Sequence, residues 1–441
     1  MDQRHGMVNA FDPARTAALP EADAALVERR QRLLGPAYRL FYDHPVHLVR
    51  GEGVWLYDAA GAAYLDVYNN VPVVGHCHPR VVDAMARQAG ALNTHTRYLH
   101  GAILDYAEAL LTTVPAELGH VMFTCTGSEA NDLALRVAKS ATGGTGFIVT
   151  ANAYHGVTDA VAGLSPSLGP AVAPAPHVVC VAAPDRRRGG DVGAAFAAEI
   201  DAALERMAAK GIRPAALIVD TIFSSDGVFA DPPGFLRPAV ECIRAAGGLF
   251  IADEVQAGFG RTGAGLWGFA RHQVVPDLVT MGKPMGNGHP VAAMLARPAL
   301  LERFGAASRY FNTFGGNPVS IAVAQAVLDV IAEENLVARA RETGDYLMAE
   351  LAARAAPHPG LGEVRGSGLF IGLDVLPETA ETGTGECEAA RIVNGLRERR
   401  VLISASGPTG NVLKIRPPLP FGRPEAEIFL DAFDDVLKTI G

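Results

Sequence analysis

The stretch TMGKPMGNGHP, Thr280–Pro290, sets a single lysine, Lys283, among glycines and prolines directly after the apolar run VVPDLV. Glycine and proline together hold a backbone in one defined path. A lysine buried there loses its proton easily and serves as nucleophile or base; the alternative is a surface lysine that follows a strand. A second stretch, TCTGSEAN, Thr124–Asn131, also follows an apolar run and opens a helical pattern. Gly127 and Ser128 would there present free N–H groups to a phosphate. The alternative is an ordinary helix start with Ser128 as cap and Glu129 and Asp132 in the first turn. A third, GLFIADEVQAGFGRTG, puts Asp253 and Glu254 at the end of an apolar run. A buried carboxylate is costly unless paired. A protonated ring nitrogen, a metal or a core arginine would each be a partner, and a charge-assisted hydrogen bond contributes about 1.5–3 kcal/mol. His76, Cys77 and His78 in GHCHP are close enough to raise a metal as well.

The elements that must position these groups follow from periodicity. VMFT, GFIVT, HVVCV, ALIVD, GLFIAD, DLVTMG and VAAMLA read as strands, being short and rich in β-branched residues. Between them lie stretches such as SEANDLALRVAKSA and DPPGFLRPAVECIRAAG, apolar at spacings of three and four. The alternation predicts an α/β fold with a mainly parallel sheet covered on both faces. Such sheets bind ligands beyond the carboxyl ends of their strands, where all three motifs fall. Residues 1–70 and 321–441 differ: long amphipathic helices (NPVSIAVAQAVLDVIAEEN, ECEAARIVNGLRERR) mix with short strands (GLFIGLDV, VLKIRP). The expected organisation is therefore a large domain over 71–320, with a small α+β domain built from both termini.

Bulk properties bound the function. The 441 residues exceed what one hydrophobic core supports. A net charge of −9 argues against general nucleic-acid binding. Five scattered cysteines, Cys77, Cys125, Cys180, Cys242 and Cys387, give no disulfide framework and fit a reducing cytoplasm. MDQRHGMVNAFDP has no apolar core of a signal peptide, and no apolar run reaches the roughly 18 residues of a membrane helix. The basic run DRRRGG, Asp185–Gly190, reads as a solvated loop.

A phosphate seat, a buried carboxylate and a lysine meeting at one sheet edge are the parts of a pyridoxal-phosphate enzyme. The sequence resembles the class III pyridoxal-phosphate-dependent aminotransferases of fold type I over nearly its whole length. The resemblance rests on GHCHP, TGSEAND, NAYHG (Asn152–Gly156), IADEVQAGFGRTG, GKPMGNGHP, NTFGGNP (Asn312–Pro318) and RGSGLFIG (Arg365–Gly372), in order and at compatible spacings. It implies pyridoxal 5'-phosphate as cofactor, with Lys283 as the Schiff-base lysine and proton shuttle and Asp253 as partner of the pyridine nitrogen. Gln256 is implied near the ring hydroxyl, Tyr154 on the ring face, and Gly127 and Ser128 around the phosphate. His155, Asp220 and Val255 complete the implied cofactor contacts, with Thr313 of the partner subunit. The resemblance thus implies a homodimer with shared sites, a tetramer being left open, and a small primary amine as substrate. In this family GHCHP is structural, so no metal is expected.

Within the family the chain most resembles the branch of ethanolamine-phosphate and phosphohydroxylysine phospho-lyases. YNNVPVVGHCHP, LNTHTRYLH, KPMGNGHPVA, YFNTFGGNPVS and VLISASGPTGNVLKIRPP carry this likeness. Dual-substrate aminotransferases of the family have a Glu-Pro-x-Gln segment after the strand ALIVD, then a glutamate gating an arginine that holds the acceptor's carboxylate. Here the segment is DTIFSSDG: Asp220-Thr221 replace Glu-Pro, Ser225 stands for the gating glutamate, and Lys414 for the arginine. Lysine is a point charge without the bidentate fork that suits a carboxylate. This favours elimination of phosphate, which needs no acceptor, and leaves transamination as the alternative. Arg39, Arg97 and Lys414 are candidate cations for the leaving phosphate. Tyr38 and Tyr42 are candidates to shape the amine pocket. The intact Lys283 and Asp253 weigh against a non-catalytic homologue.

Overall fold

The computed structural model describes residues 7–376 and 386–440. The side chain of Cys387 lies outside the described part; Cys77, Cys125, Cys180 and Cys242 are free. Three N-terminal strands, β1 (Leu48–Glu52), β2 (Trp55–Asp58) and β3 (Ala63–Asp66), form a small sheet. The central sheet follows: β4 (His120–Thr124), β5 (Gly146–Thr150), β6 (Val178–Val181), β7 (Pro214–Asp220), β8 (Leu249–Asp253), β9 (Leu278–Met281) and β10 (Ala292–Ala296). These are the seven runs expected as strands. Their order is β4-β10-β9-β8-β7-β5-β6, parallel except for β10, which runs antiparallel to both β4 and β9. The C-terminal strands are β11 (Leu361–Ser367), β12 (Phe370–Val375), β13 (Val401–Leu402), β14 (Ser404–Ser406) and β15 (Val412–Ile415). Strand β13 joins the N-terminal sheet beside β3, and the others form an antiparallel sheet of order β11-β12-β15-β14.

The central sheet is buried on both faces because its strands are mostly apolar, with polar residues such as Asp220 and Asp253 at strand ends. Ile148, Leu217, Val219, Phe250 and Ala252 pack with Phe196 and Ile200 of helix Val192–Ala209 and Val240 of helix Leu236–Ala245. The alternate residues Phe147, Val149, Ala216, Ile218 and Ile251 pack on the other side with Leu133 and Val137 of helix Gly127–Thr142. This is the period of two of an extended chain, with a helical layer on each face. The chain leaves β5 toward β6 and returns on the other side of β5 to β7. That reversal opens a crevice at the carboxyl ends of the strands. There the register aligns Asp220 with Asp253 and Asp253 with Thr280.

The arginines of DRRRGG are exposed, as expected of a solvated loop, but two of them are also ion-paired. Arg187 bonds Asp185 at 2.7 Å and the buried Asp374 of β12 at 2.5 Å, and Arg186 pairs with Glu363 of β11. The second oxygen of Asp374 accepts a 2.7 Å bond from the buried Arg365, whose guanidinium also donates to the carbonyls of Gly227 and Val228. A charge run read along the sequence cannot show that acidic partners arrive from nearly two hundred residues away. This clamp ties the C-terminal sheet to the loop that follows β7. Among the described residues, no helix is long and apolar enough to cross a membrane.

Asp374→Ala removes the carboxylate between two guanidiniums and leaves Arg365 buried without its charge partner. Losing one member of a buried ion pair costs about 3–5 kcal/mol. The variant is expected to unfold at a clearly lower temperature or urea concentration than the parent, measured by circular dichroism; an unchanged transition would show that the clamp carries no stability.

Candidate active site

The helix Gly127–Thr142 starts three residues after β4, and its cap is Thr126 rather than Ser128. Thr126 Oγ1 accepts from the Glu129 N–H at 3.1 Å, and Glu129 Oε2 accepts from the Thr126 and Cys125 N–H groups. This reciprocal capping box satisfies its own donors and leaves Ser128 for other work. Ser128 Oγ accepts from the Val157 N–H at 3.1 Å. Two glycines set the space around it. Gly156 has φ +140°, and a Cβ there would lie 2.4 Å from Ser128 Oγ. A Cβ on Gly127 would lie 2.9 Å from Val255 Cγ2. The first-turn N–H groups of Gly127 and Ser128, which a helix cannot pair internally, therefore open onto the cleft.

Asp253 and Glu254, adjacent in sequence, face opposite environments. Glu254 is fully buried; it accepts from Thr221 Oγ1 at 2.7 Å and from the N–H groups of Gly268 and Phe269 at 2.7 and 2.8 Å. Burial pushes its pKa up to about 7, against these hydrogen bonds. Its role is to hold the turn after Trp267. Asp253 turns to the cleft. Its Oδ2 accepts from His155 Nδ1 at 2.7 Å and from Asn131 Nδ2 at 3.0 Å, and its Oδ1 accepts from the Val255 N–H. Asn131 is fixed in turn: Nδ2 also donates to the His155 carbonyl, and Oδ1 accepts from Thr280 Oγ1 at 2.5 Å. The carboxylate is thus held by an amide, a backbone N–H and an imidazole, and among the described residues no arginine pairs with it.

Lys283 opens a short 3₁₀ turn after β9, and its Nζ lies 5.7 Å from the centre of the Tyr154 ring. Burial and then the nearby Arg416 lower its pKa, opposed by Asp253 and Asp220. Burial and Asp253 raise the Tyr154 pKa. Asp220 accepts from the N–H groups of Ile222 and Ser224, and burial raises its pKa. One cleft, with about 430 Å³ of empty volume that includes its opening to solvent, is lined by Gly127, Ser128, Tyr154, His155, Gly156, Asp220, Asp253, Val255, Gln256 and Lys283. The structure thus gathers every expected cofactor contact except Thr313.

The expected substrate residues divide. Lys414, on β15, is buried, with its Nζ 5.7 Å from the Phe370 ring centre. No carboxylate lies within 4 Å of it among the described residues. Burial, then Arg416, drives its pKa well down; Asp220, Lys283 and Asp226 also act on it, which places its charge beside the cleft. Tyr42 is buried and spends its hydroxyl on the Ile403 carbonyl at 2.9 Å. Tyr38 and Arg39 are exposed on the N-terminal segment and do not line the cleft. Arg97 is exposed on another face, 3.8 Å over the ring of Phe311, two residues before the exposed Thr313. GHCHP comes apart: His76 pairs with Asp66 at 2.7 Å, His78 with Glu334 at 3.1 Å, and Cys77 is exposed. The helix Pro79–Ala91 follows it.

Two residues of the site were not singled out in the sequence. Asn131 lies one helical turn beyond Gly127, so the helix that offers the N–H groups also offers its amide to Asp253. Arg416 stands two residues past Lys414; the period of two places both on one face, and both approach Phe370.

The cleft suits pyridoxal phosphate on its own chemistry. Glycines clear room beside free helix N–H groups, a carboxylate is buried without a cationic side chain other than an imidazole, and a lysine amine is disfavoured as an ammonium. The family model for class-III aminotransferases matches residues 41–437. Alanine–glyoxylate aminotransferase 2-like of Drosophila melanogaster is 40% identical over 94% of this chain and 87% of its own length. Ethanolamine-phosphate phospho-lyase homolog 1 of Caenorhabditis elegans is 34% identical over 94% of this chain and 93% of its own. A solved phospholyase from Arthrobacter, in complex with phosphoethanolamine, is 43% identical, with a TM-score of 0.91 over 94% of this chain and 99% of its own. On this evidence the chain belongs to the class-III aminotransferase family and is a pyridoxal-phosphate-dependent enzyme.

Proposed function

We propose that this enzyme is a phospho-lyase, which eliminates phosphate and ammonia from a small O-phosphorylated amino alcohol such as ethanolamine phosphate. The observation that carries the reading is Lys414: a buried lysine beside the cleft with no carboxylate within 4 Å among the described residues, where an acceptor-binding arginine would stand in a dual-substrate enzyme. The altered segment Asp220–Gly227 supports it, since Ser225 offers no carboxylate to gate such an arginine. The likeness to the Arthrobacter phospholyase supports it too. Transamination of an amine to a 2-oxo acid is the second reading, favoured by the likeness to the Drosophila relative.

When bound, pyridoxal phosphate supplies an electron sink for the carbon that bears the substrate's amine. The chain's residues do the rest. Gly127 and Ser128 would donate N–H groups to the cofactor phosphate, and Asp253, oriented by His155 and Asn131, would accept from the ring nitrogen. Lys283, with its ammonium disfavoured, takes the proton from the carbon bearing the amine. The bond from the neighbouring carbon to the phosphate oxygen then breaks, and phosphate leaves with the electron pair toward Lys414. The terminal carbon of the remaining two-carbon fragment takes up a proton, returning the one that Lys283 removed, and water then replaces nitrogen, giving aldehyde and ammonia. No net oxidation occurs, so no acceptor is required.

The reading includes a homodimer working in the cytoplasm. Thr313 and Arg97 lie on one exposed face with Tyr98, Leu99 and Phe314, of which Leu99 is wholly exposed. A patch of this kind marks a contact surface. In the dimer, Thr313 of the partner subunit meets the cofactor phosphate, and the Arg97 cation arrives on the same face.

Three measurements test the reading. Given ethanolamine phosphate and no oxo acid, the loaded enzyme is expected to release phosphate and ammonia in equal amounts over many turnovers; a single turnover without phosphate would instead identify a transaminase. Lys283→Ala is expected to lower turnover by about a thousandfold or more, because base and nucleophile are lost together; near-parental rates would remove Lys283 from the mechanism. Lys414→Ala is expected to raise KM for the phosphorylated amine about ten- to a hundredfold, the worth of one charge-assisted hydrogen bond, while an unphosphorylated amine is affected far less. Equal effects on both amines would separate Lys414 from the phosphate.

A further inference from the structure

Arg416 is 7% exposed, and among the described residues no carboxylate lies within 4 Å of its guanidinium. A buried cation is normally paired with an anion. Arg416 is instead held by neutral groups. Its Nη1 donates to Asn70 Oδ1 at 3.1 Å and to Gln256 Oε1, its plane lies 4.4 Å over the Tyr68 ring, and its Nε is buried without a partner. The charged groups around it are Lys283 and Lys414, which it disfavours as cations, and the buried Arg261, whose pKa falls to about 9; Asp66 acts in the opposite sense on Arg261. Lys283 itself feels Asp253 and Asp220 from β8 and β7, and Lys414 feels Asp220 and Asp226.

The contact with Gln256 has a directional consequence. A guanidinium only donates, so the Gln256 oxygen must face Arg416. The amide nitrogen is then turned the other way and donates to Ser224 Oγ at 2.5 Å, and Gln256 lines the cleft. With its oxygen engaged by Arg416, the amide nitrogen is the group Gln256 has to offer an oxygen in the cleft.

We propose that Arg416 is a positioning residue of the active site: it fixes the Gln256 amide with its NH₂ toward the cleft, and it projects an unpaired positive charge onto the pocket of Lys283. Neither task needs contact with substrate. Both require a cation that is buried and not neutralised, which accounts for a guanidinium enclosed by amides and rings. The inference rests on the reading of the cleft as the pyridoxal-phosphate site.

The test is the pH titration of the absorbance band of the cofactor-loaded protein, together with the dissociation constant of pyridoxal phosphate. Arg416→Met and Arg416→Gln remove the charge, and Arg416→Lys keeps it. Both neutral variants are expected to move the titration midpoint upward by about one unit, the scale of one neighbouring charge, and Arg416→Lys to stay near the parent. In a Gln256→Leu background, Arg416→Met is expected to add little further loss of cofactor affinity. A folded neutral variant with the parental midpoint would overturn the proposal, as would a lysine variant shifted as far as the methionine one. If the parent shows no such band, or its band persists in Lys283→Ala, the reading of the cleft fails instead.

Discussion

The site depends on a carboxylate buried at the end of a strand. Asp253 is 3% exposed, and a carboxylate so buried is stable only where its environment offers donors. His155 and Asn131 do this. Each is fixed by a further bond: Asn131 by Thr280 and the His155 carbonyl, and the His155 backbone by Ser165 Oγ at 3.0 Å. The requirement therefore spreads outward, fixing the pitch of helix Gly127–Thr142 against β8 and β9. A helix placed to give Asn131 to Asp253 also brings its N-terminus to the cleft.

Around that carboxylate the cations are left without direct ion pairs. Lys283, Lys414 and Arg416 approach from two different sheets; burial and then Arg416 disfavour both lysines as cations, and Lys283 adds to this at Lys414. Such a cluster persists only if the surrounding fold forces it together. The forcing element is the Arg187–Asp374–Arg365 clamp, which holds β12, and through it β15, against the loop Asp220–Val228.

The seven central strands were legible because a sheet buried on both faces writes continuous apolar runs into the sequence. Gly127, Asp253 and Lys283 drew attention for a related reason, because they fall at the ends of those runs, whereas Tyr154, His155, Val255 and Gln256 were indicated only by the family resemblance. Local sequence could not separate Asp253 from Glu254, since both close the same strand and only the pleat decides which one faces the cleft. Nor could it show that Thr126, not Ser128, caps the helix, or that DRRRGG meets buried acids on distant strands. Tyr42 read as an entrance residue, but its hydroxyl is committed to Ile403. Arg416 was hidden beside Lys414 because its meaning lies in what it lacks, a carboxylate, and a sequence does not list absent partners.

The sheets also divide labour. The central sheet supplies Asp253, Lys283 and the helix that begins at Gly127, the groups proposed to hold the cofactor. Strand β15, in the antiparallel sheet, carries Lys414 and leads directly to Arg416, the groups proposed to face substrate charge or tune the pocket. Because the two sets belong to separately hydrogen-bonded sheets joined by side-chain contacts, changes along β14 and β15 can alter which amine is accepted without rebuilding the reaction centre. An architecture of this kind lets new substrate preferences evolve on one sheet while the inherited chemistry is conserved on the other.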